Sequence, residues 1–520
     1  MPQIGARIMH VLARQVRSLA GIAAICCFPA AVRAETTLST LYAFPNDGLS
    51  PNGYSRGAVP TGDMMQGADG NFYGTTVYGG SSTCNDGYVV GCGAIFTLTP
   101  AGTQTVLYAF TYDSTTGTAV NGGWPSAGLV QGPDGYFYGV ASAFGDKTAL
   151  CNTTGGCGTI FKVSSTGKFK LLYTFRGLTA DCKLMDGGQP RGRLLLARDG
   201  YFYGTTNQGG CGSGGTVFRI SSTGAYTQLH VFQGNNNMSD GANPVAGLIQ
   251  ATDGYLFGTT SFGGQFGYGT VFRMSTSGAI KVLHSFAHSS ATGTAAGGSQ
   301  PLGSLVQASD GNLYGTTSQD GAGSAGTLFR ITTAGTFTTL YDFTLNGSYT
   351  GIFPRAGLIQ ATDGKLYGTT WRGGIDNDGT VFSATLAGAV TEAASFTGDN
   401  GRNPVAGVYQ AADGTLVGTA SGLGSGNGGT IVQANLGLLA PVPSLARFTP
   451  SSGMAGTSVR LSGAGFVGAK KVTFNGTAAT FSVTSATSIR ATVPAGATTG
   501  PITVTSPAGS GMSKTKFTIP

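Results

Sequence analysis

Residues able to move protons or hold metals are scarce in this chain and widely spaced. Only four histidines occur in 520 residues. His230 and His284 replace the aromatic of a recurring Leu-aromatic-x-Phe pattern, which marks them as packing residues, and His288 lies in a serine-rich stretch without a recognisable partner. No Ser-His-Asp arrangement can therefore be read from the spacing. Glutamate occurs only at Glu35 and Glu392, whereas Asp47, Asp86, Asp186, Asp240 and Asp399 fall in the connections between apolar runs. Two such carboxylates a few ångströms apart would suit glycoside hydrolysis. An aspartate before Gly-x-x-Pro is also ordinary turn chemistry. The run Asp376-Asn377-Asp378-Gly379 has the beginning of a calcium loop without its remaining ligands. No catalytic residue, metal site or cofactor is assigned.

Thiols are the other reactive groups. Beyond the N-terminal segment there are six: Cys84, Cys92, Cys151, Cys157, Cys182 and Cys211. An even count in an exported chain argues for disulfides, with 15 possible connectivities. Metal binding is disfavoured because no CxxC pair or accompanying histidine is present. Cys84 and Cys92 share one connection, as do Cys151 and Cys157, while Cys182 lies in the connection entering the third unit and Cys211 in that unit's second-to-third loop. The expected pairs are Cys84–Cys92, Cys151–Cys157 and Cys182–Cys211.

These residues hang on a repeat. The heptapeptide LIQATDG occurs at Leu248–Gly254 and again at Leu358–Gly364, and an Asp-Gly pair follows an apolar run at Asp69, Asp134, Asp199, Asp253, Asp310, Asp363 and Asp413. That makes seven units. One unit, Asn243–Phe286, holds GLIQA, the turn TDG, YLFGTT, a Gly-rich loop, GTVFRMS, the turn TSG and AIKVLHSF. Four short β-branched or aromatic runs between turn signals predict a four-stranded antiparallel meander. The runs are apolar on successive positions, so both sheet faces must be covered.

Four-stranded sheets packed between like neighbours make a β-propeller. A third strand of GTVF type recurs seven times, but the fourth-strand pattern appears only at Leu107, Leu172, Leu229, Leu283, Leu340 and, degraded, at Ala393. The spare copy is TTLSTLYAF (Thr36–Phe44), expected to pair with Thr430–Ala434 and close the ring. The fold class is thus all-β: a seven-bladed β-propeller closed by the N-terminal strand, followed by an immunoglobulin-like β-sandwich. The sandwich reading rests on six or seven short strands within the final eighty or so residues.

Composition agrees with export and a compact β fold. Glycine reaches 89 residues without a Gly-X-Y period, and only 10% of residues are charged. Arg7, Arg14 and Arg17 precede LAGIAAICCFPAAV, and Val32-Arg33-Ala34 is a small-residue cleavage site, so 1–34 reads as a signal peptide. Cleavage leaves 25 basic against 22 acidic residues, a net +3. From Val442 onward there are seven basic residues and no acid, leaving 35–441 at −4. That basic end could dock on an anionic polymer, or be a solvated surface. Nucleic-acid binding is disfavoured by export and by the acidic repeat region. A secreted or periplasmic monomer is expected, without an integral membrane segment after cleavage.

The connections on one side vary in length, and those on the other are uniformly short, as in TDG and SSTG. The variable side carries a Gly-x-x-Pro signature, as in DGLSP, NGGWP and NGRNP, together with Tyr78, Trp124, Phe144, Phe262, Trp371 and Arg372. Flat aromatics and guanidinium suit recognition of an extracellular glycan or protein. Packing of loops against one another would use the same residues. A polysaccharide lyase or glycoside hydrolase on the same side is the alternative.

The repeats, through AGLIQATDG, YGTT, GG, GTVF and LYxF, resemble the GloVer tandem repeat of exported bacterial proteins over nearly all of Thr36–Asn435. The resemblance implies export and a propeller-like array, and carries no catalytic residues. Members often end in a sorting or membrane anchor, a pattern from which this chain departs. FTPSSGMAGTSVRLSGAGF, VTFNG, ATVPAG and GPITVTSPAG closely resemble an IPT/TIG domain, which implies a spacer or adhesive module. The expected organisation is a signal peptide (1–34), the propeller (35–437), a linker (438–443) and the IPT/TIG-like domain (444–520).

Overall fold

The computed structural model describes residues 38–46, 56–80, 84, 91–113, 119–146, 156–177, 186–209, 213–234, 238–287, 297–345, 350–422 and 428–520. The expected signal peptide lies outside them. Among the described residues the chain is built almost wholly of short antiparallel strands, and no helix is long and apolar enough to cross a membrane.

Seven sheets of one pattern lie between Ser39 and Ala434. The fourth is representative, with Ile249–Gln250, Leu256–Thr260, Thr270–Met274 and Ile280–Ser285 paired in sequence order. Its second strand is buried at every position, as apolar-on-both-faces sequence requires. The sixth sheet gains a fifth short strand, Ile352–Pro354. In the seventh sheet the outermost position is filled by Ser39–Ala43, which pairs with Thr430–Ala434 in the register Ser39 to Gln433 and Ala43 to Thr430. Phe44 is fully buried there.

The first strand of each unit is shorter than GLIQA suggests, two residues throughout. The residues just before it are consumed by contacts between sheets. A side chain at Gly62 would fall 2.7 Å from the backbone of Ala127 in the next sheet, and one at Gly303 would collide with Ala356. Backbones this close leave no room for a ladder partner.

The Asp-Gly turns are structural at all seven positions. Each aspartate Oδ1 accepts a hydrogen bond from the amide two residues on, from Asn71 to Thr415. Each following glycine has φ between 80° and 94°, where other L-residues are strained. In five units the second carboxylate oxygen accepts from a tyrosine hydroxyl four residues on, at 2.6 Å for Tyr73 and Tyr203. Burial and the carboxylate together raise the tyrosine pKa, to about 12 for Tyr203 and Tyr314.

A glutamine from six of the seven first strands locks these turns together. Gln250 Nε2 donates to Gly254 in its own turn (2.9 Å), and its Oε1 accepts from the Arg198 amide of the preceding sheet (2.9 Å). The same Oε1 contact is made by Gln131, Gln307, Gln360 and Gln410, and Gln66 of the first sheet accepts from Ala412 of the seventh (2.9 Å). The succession returns to its start. One junction lacks the latch, and both halves are missing together: Pro133 has no amide hydrogen, and Leu196 stands where the glutamine would be.

After Ala434 the repeat ends. Residues 444–512 form two four-stranded sheets, eight strands rather than six or seven, around a core that includes Val459, Leu461, Phe474, Ile489 and Val504. The segment expected as a linker is anchored: Thr362 Oγ1 (2.7 Å) and Gln410 Nε2 (3.2 Å) donate to the Leu439 carbonyl. Arg447 Nη2 also donates to the Arg198 carbonyl beside the third Asp-Gly turn (2.9 Å).

Two outcomes follow for stability. The double substitution Pro133→Ala, Leu196→Gln should restore the missing latch and stabilise by about 1 kcal/mol beyond the sum of the single changes. Denaturant unfolding of all four proteins measures that coupling, and simple additivity would refute it. A chain shortened to begin at Pro45 should expose the Thr430–Ala434 edge and aggregate on size-exclusion chromatography; a monodisperse product of unchanged melting temperature would contradict this.

Candidate functional site

The variable side is positioned by a second set of contacts between sheets. The residue before the proline of each Gly-x-x-Pro has positive φ: Val59, Trp124, Gln189, Asn243, Gln300, Phe353 and Asn403, all between 52° and 58°. A non-glycine residue before proline avoids that region for two separate steric reasons. Compensation comes from the neighbouring sheet, where Trp124 N donates to Cys92 O (2.9 Å), Gln189 N to Cys157 O (2.7 Å) and Val59 N to Gly428 O (2.7 Å). Each proline ring then sits on a third-strand glycine of the preceding sheet, from Pro125 on Gly93 round to Pro60 on Gly429. In the first unit the signature is therefore Gly57–Pro60, not the DGLSP of 47–51, which lies outside the described residues.

The sequence-predicted residues fall into three groups rather than one. Tyr78, Trp124 and Phe144 form an aromatic cluster on the first two sheets, with ring centroids 6.2 and 5.3 Å apart. Phe144 is buried, and Trp124 packs on the core that holds Cys84 and Cys92. Here the aromatics pack loops together. The Cys84–Cys92 disulfide is present with a Cα–Cα distance of 5.1 Å. Cys157 is also disulfide-bonded. Cys151, Cys182 and Cys211 lie outside the described residues.

Phe262 belongs to a different setting. It is 46% exposed, and Phe266 (48%) and Tyr268 (36%) stand exposed on the same connection. Turn bonds such as Gly269 N to Gly263 O (2.9 Å) fix this loop internally. Sequence reasoning missed Phe266 and Tyr268, although SFGGQFGYG places three aromatics within seven residues between glycines.

Trp371 and Arg372 end a long second strand, Leu366–Arg372, in the sixth sheet. The guanidinium carbons of Arg355 and Arg372 lie 4.0 and 4.5 Å from the Trp371 ring centroid. Burial and the nearby Arg372 charge lower the Arg355 pKa from its ordinary value, and Arg355 Nε has no hydrogen-bond partner. Arg355 was invisible as a site residue because the register that sets it beside Trp371, Pro354 opposite Thr370, joins positions 16 apart.

The carboxylates proposed for hydrolysis are engaged elsewhere. Asp186 accepts from Tyr173 Oη (2.8 Å) and from the amides of Arg176 and Gly177. Burial raises its pKa against those bonds. Asp240 Oδ2 lies 2.9 Å from His230 Nε2. Asn121 to Tyr108 (2.7 Å) and Thr350 to Tyr341 (3.0 Å) are the same contact in other units. Asp186 and Asp240 thus tie different fourth strands to the loops that follow them, and His230 is a paired group rather than a plain packing residue. Asp399 is exposed, and Asp47, Asp86 and His288 lie outside the described residues. Burial raises the Asp378 pKa, while Asn377 Oδ1 accepts from Gly373 N (3.0 Å). Among the described residues no three His, Cys, Asp or Glu side chains gather as a metal cluster.

A cavity of about 370 Å³ is lined by residues of all seven sheets, from Asp63 in the first to Val408 in the seventh, together with Thr487. A second, of about 430 Å³, lies between Met65, Ile359 and Tyr409 of the repeat region and Val467 and Ala486 of the C-terminal sheets.

The Gloeobacter/Verrucomicrobia repeat profile matches residues 82–300 and 290–483. The chain belongs to that family. No curated protein sequence matches this repeat protein. Among solved structures it is similar to a protein assigned as a 6-phosphogluconolactonase from Bacteroides uniformis, with 14% identity over 66% of this chain and 84% of that one, at a TM-score of 0.42. It is also similar to an extracellular domain assigned to a hybrid two component system of B. thetaiotaomicron (10% identity, 82% of this chain and 45% of that one, TM-score 0.45). A protein from Lactobacillus plantarum is a third (16% identity, 67% and 86% covered, TM-score 0.42). None of the three lends this repeat protein a function.

His284 gives a pH-dependent test of the packing assignments. It stacks on Phe337 at 3.8 Å, and burial lowers its pKa from 6.5 to about 4. The unfolded chain therefore binds the extra proton between those values, and stability falls as pH drops from 6.5 towards 4. His284→Phe should keep the stack and lessen that loss. Melting temperatures at pH 7 and pH 4.5 compare the two proteins, and equal acid sensitivity would refute the assignment.

Proposed function

We propose that this is a secreted binding protein: a seven-bladed propeller closed by its N-terminal strand, with an IPT/TIG-like immunoglobulin sandwich after it. Its ligand, an extracellular glycan or protein, is held on the loop face. The observation that carries this reading is the exposed trio Phe262, Phe266 and Tyr268 on an internally bonded loop. Large aromatic surface left in water on a rigid loop favours an apolar or sugar-ring partner. Trp371, covered by Arg355 and Arg372, contributes by holding two guanidinium groups in place rather than by stacking. Trp124 supports the loops beneath. The engagement of Asp186 and Asp240 in ties to their own sheets favours binding over hydrolysis at those residues.

The test is an array of glycans and peptides probed with the mature protein, followed by titration of the best ligand. Replacing Phe266 or Tyr268 with Ala should weaken binding by about 1–3 kcal/mol. Unchanged affinity with Phe262, Phe266 and Tyr268 all replaced would remove the site from this loop. Turnover of a polysaccharide that is lost in Asp186→Asn or Asp240→Asn would replace the binding reading with a hydrolytic one.

A further inference from the structure

The C-terminal sheets carry a charge arrangement that the loop face does not explain. Seven basic residues and no acid lie from Val442 onward, so no side chain within this region can neutralise an arginine there. Register gathers three of the seven. Arg460 stands directly opposite Arg490, and Arg447 stands opposite Ser462, two positions along the same strand as Arg460. Since alternate residues share a face, all three guanidinium groups leave the same side of one sheet. The other side is core: Leu461, Ile489 and Ala491 between and beside them are fully buried.

Like charges directly opposite on adjacent strands are destabilising. Arg460 feels it: burial and then the charges of Arg447 and Arg490 lower its pKa, and its Nε has no partner. Arg447 and Arg490 are exposed. Arg447 gives one hydrogen bond to the Arg198 carbonyl, a neutral acceptor that leaves its charge uncompensated. No ion pair within 4.0 Å involves any of the three among the described residues.

We propose that this sheet face binds an anionic, carboxylate-bearing polysaccharide. Between and beside the arginines the same face presents Thr449, Ser462 and Ser482, the last directly opposite Arg490. Guanidinium forks pair two-point with carboxylates, and hydroxyls match the hydroxyls of a sugar. The face has no aromatic ring among these positions for stacking a nucleobase and no large aliphatic side chain for entering a bilayer. Those two features favour a polysaccharide over nucleic acid or an anionic membrane. The surface is separate from the loop face, so a ligand there and a polyuronate here can be bound at once.

The experiment uses the full mature chain and three probes: polygalacturonate, the same polymer with its carboxyls reduced to alcohols, and vesicles containing an anionic phospholipid. Binding to polygalacturonate is expected, weakening as salt is raised, with none to the reduced polymer. Arg460→Gln combined with Arg490→Gln should weaken it about tenfold or more, while the melting temperature stays level or rises because the opposed charges are gone. Lys514→Gln with Lys516→Gln removes the same charge elsewhere in the region and should leave affinity near wild type. Equal weakening by both pairs would overturn the proposal, since net charge alone would then suffice. Retention of polygalacturonate affinity in the arginine pair, or binding to vesicles without binding to polygalacturonate, would overturn it too. Because the probe and variants do not touch Phe262, Phe266 or Tyr268, loss of either site leaves the other measurable.

Discussion

Each sheet is held to the next at its Gly-x-x-Pro end, and at six of the seven junctions at its Asp-Gly end too, and everything else in the repeat region depends on that. At the Asp-Gly end the contact is a glutamine amide bridging its own turn and its neighbour's backbone. At the other end a proline lies flat on a glycine of the preceding sheet, close enough that any side chain at Gly429 would meet Pro60 within 2.6 Å. Each bridge contributes only about 1 kcal/mol net, but both sets run round to join the seventh sheet to the first. A break at one junction is therefore shared by an assembly that stays bonded elsewhere. The Pro133–Leu196 junction, which lacks its glutamine bridge, shows that one omission is tolerated.

This constraint explains where the sequence is free to vary. The turn Asp, Gly and Gln are committed to the bridges, so the Asp-Gly side repeats almost unchanged. Residues in the Gly-x-x-Pro segment are committed as well, yet the residue before proline is held chiefly by its backbone, with side-chain amide bonds added at Asn243 and Asn403. Its side chain is then free to be Val59, Trp124, Gln189 or Phe353. The connections after the second strands are bridged only near their ends, as at the carbonyls of Cys92, Cys157 and Gly428. They accommodate a disulfide in the first unit and exposed aromatics in the fourth, and in the sixth the strand leading into the connection ends on an arginine-flanked tryptophan.

The sheets were legible in the sequence because their signals are local: Asp-Gly turns, GTVF runs and the Leu-aromatic-x-Phe pattern sit within single strands. The pairing of Ser39–Ala43 with Thr430–Ala434 was legible for a different reason, a count of parts that left one strand over. What could not be read depends on contacts between strands or units. Phe144 and Phe262 occupy the same kind of connection, but the former is buried by Trp124 and Tyr112 while the latter projects into solvent. The two-residue first strands reflect a backbone approach that hydrophobicity does not encode. His230 looked like a packing residue because its partner, Asp240, is ten residues away in a turn of its own.

Charge gives the same lesson more sharply. A count of basic residues near the C-terminus could not tell a solvated surface from a gathered one, because the difference is a register of two positions between adjacent strands. Once that register is known, opposed guanidinium groups recur in two unrelated settings. In the sixth sheet Arg355 and Arg372 are brought together by the Trp371 ring, and in the C-terminal sheets Arg447, Arg460 and Arg490 are brought together by the ladder. In both the repulsion is borne by a rigid scaffold rather than relieved by an acid, and in both a buried Nε has no partner. A flexible pair of arginines would move apart and lose both the repulsion and the fixed geometry. Held against the Trp371 ring, Arg355 and Arg372 keep their donors in place, so an anion arriving there would gain charge-assisted contacts without first having to order both side chains.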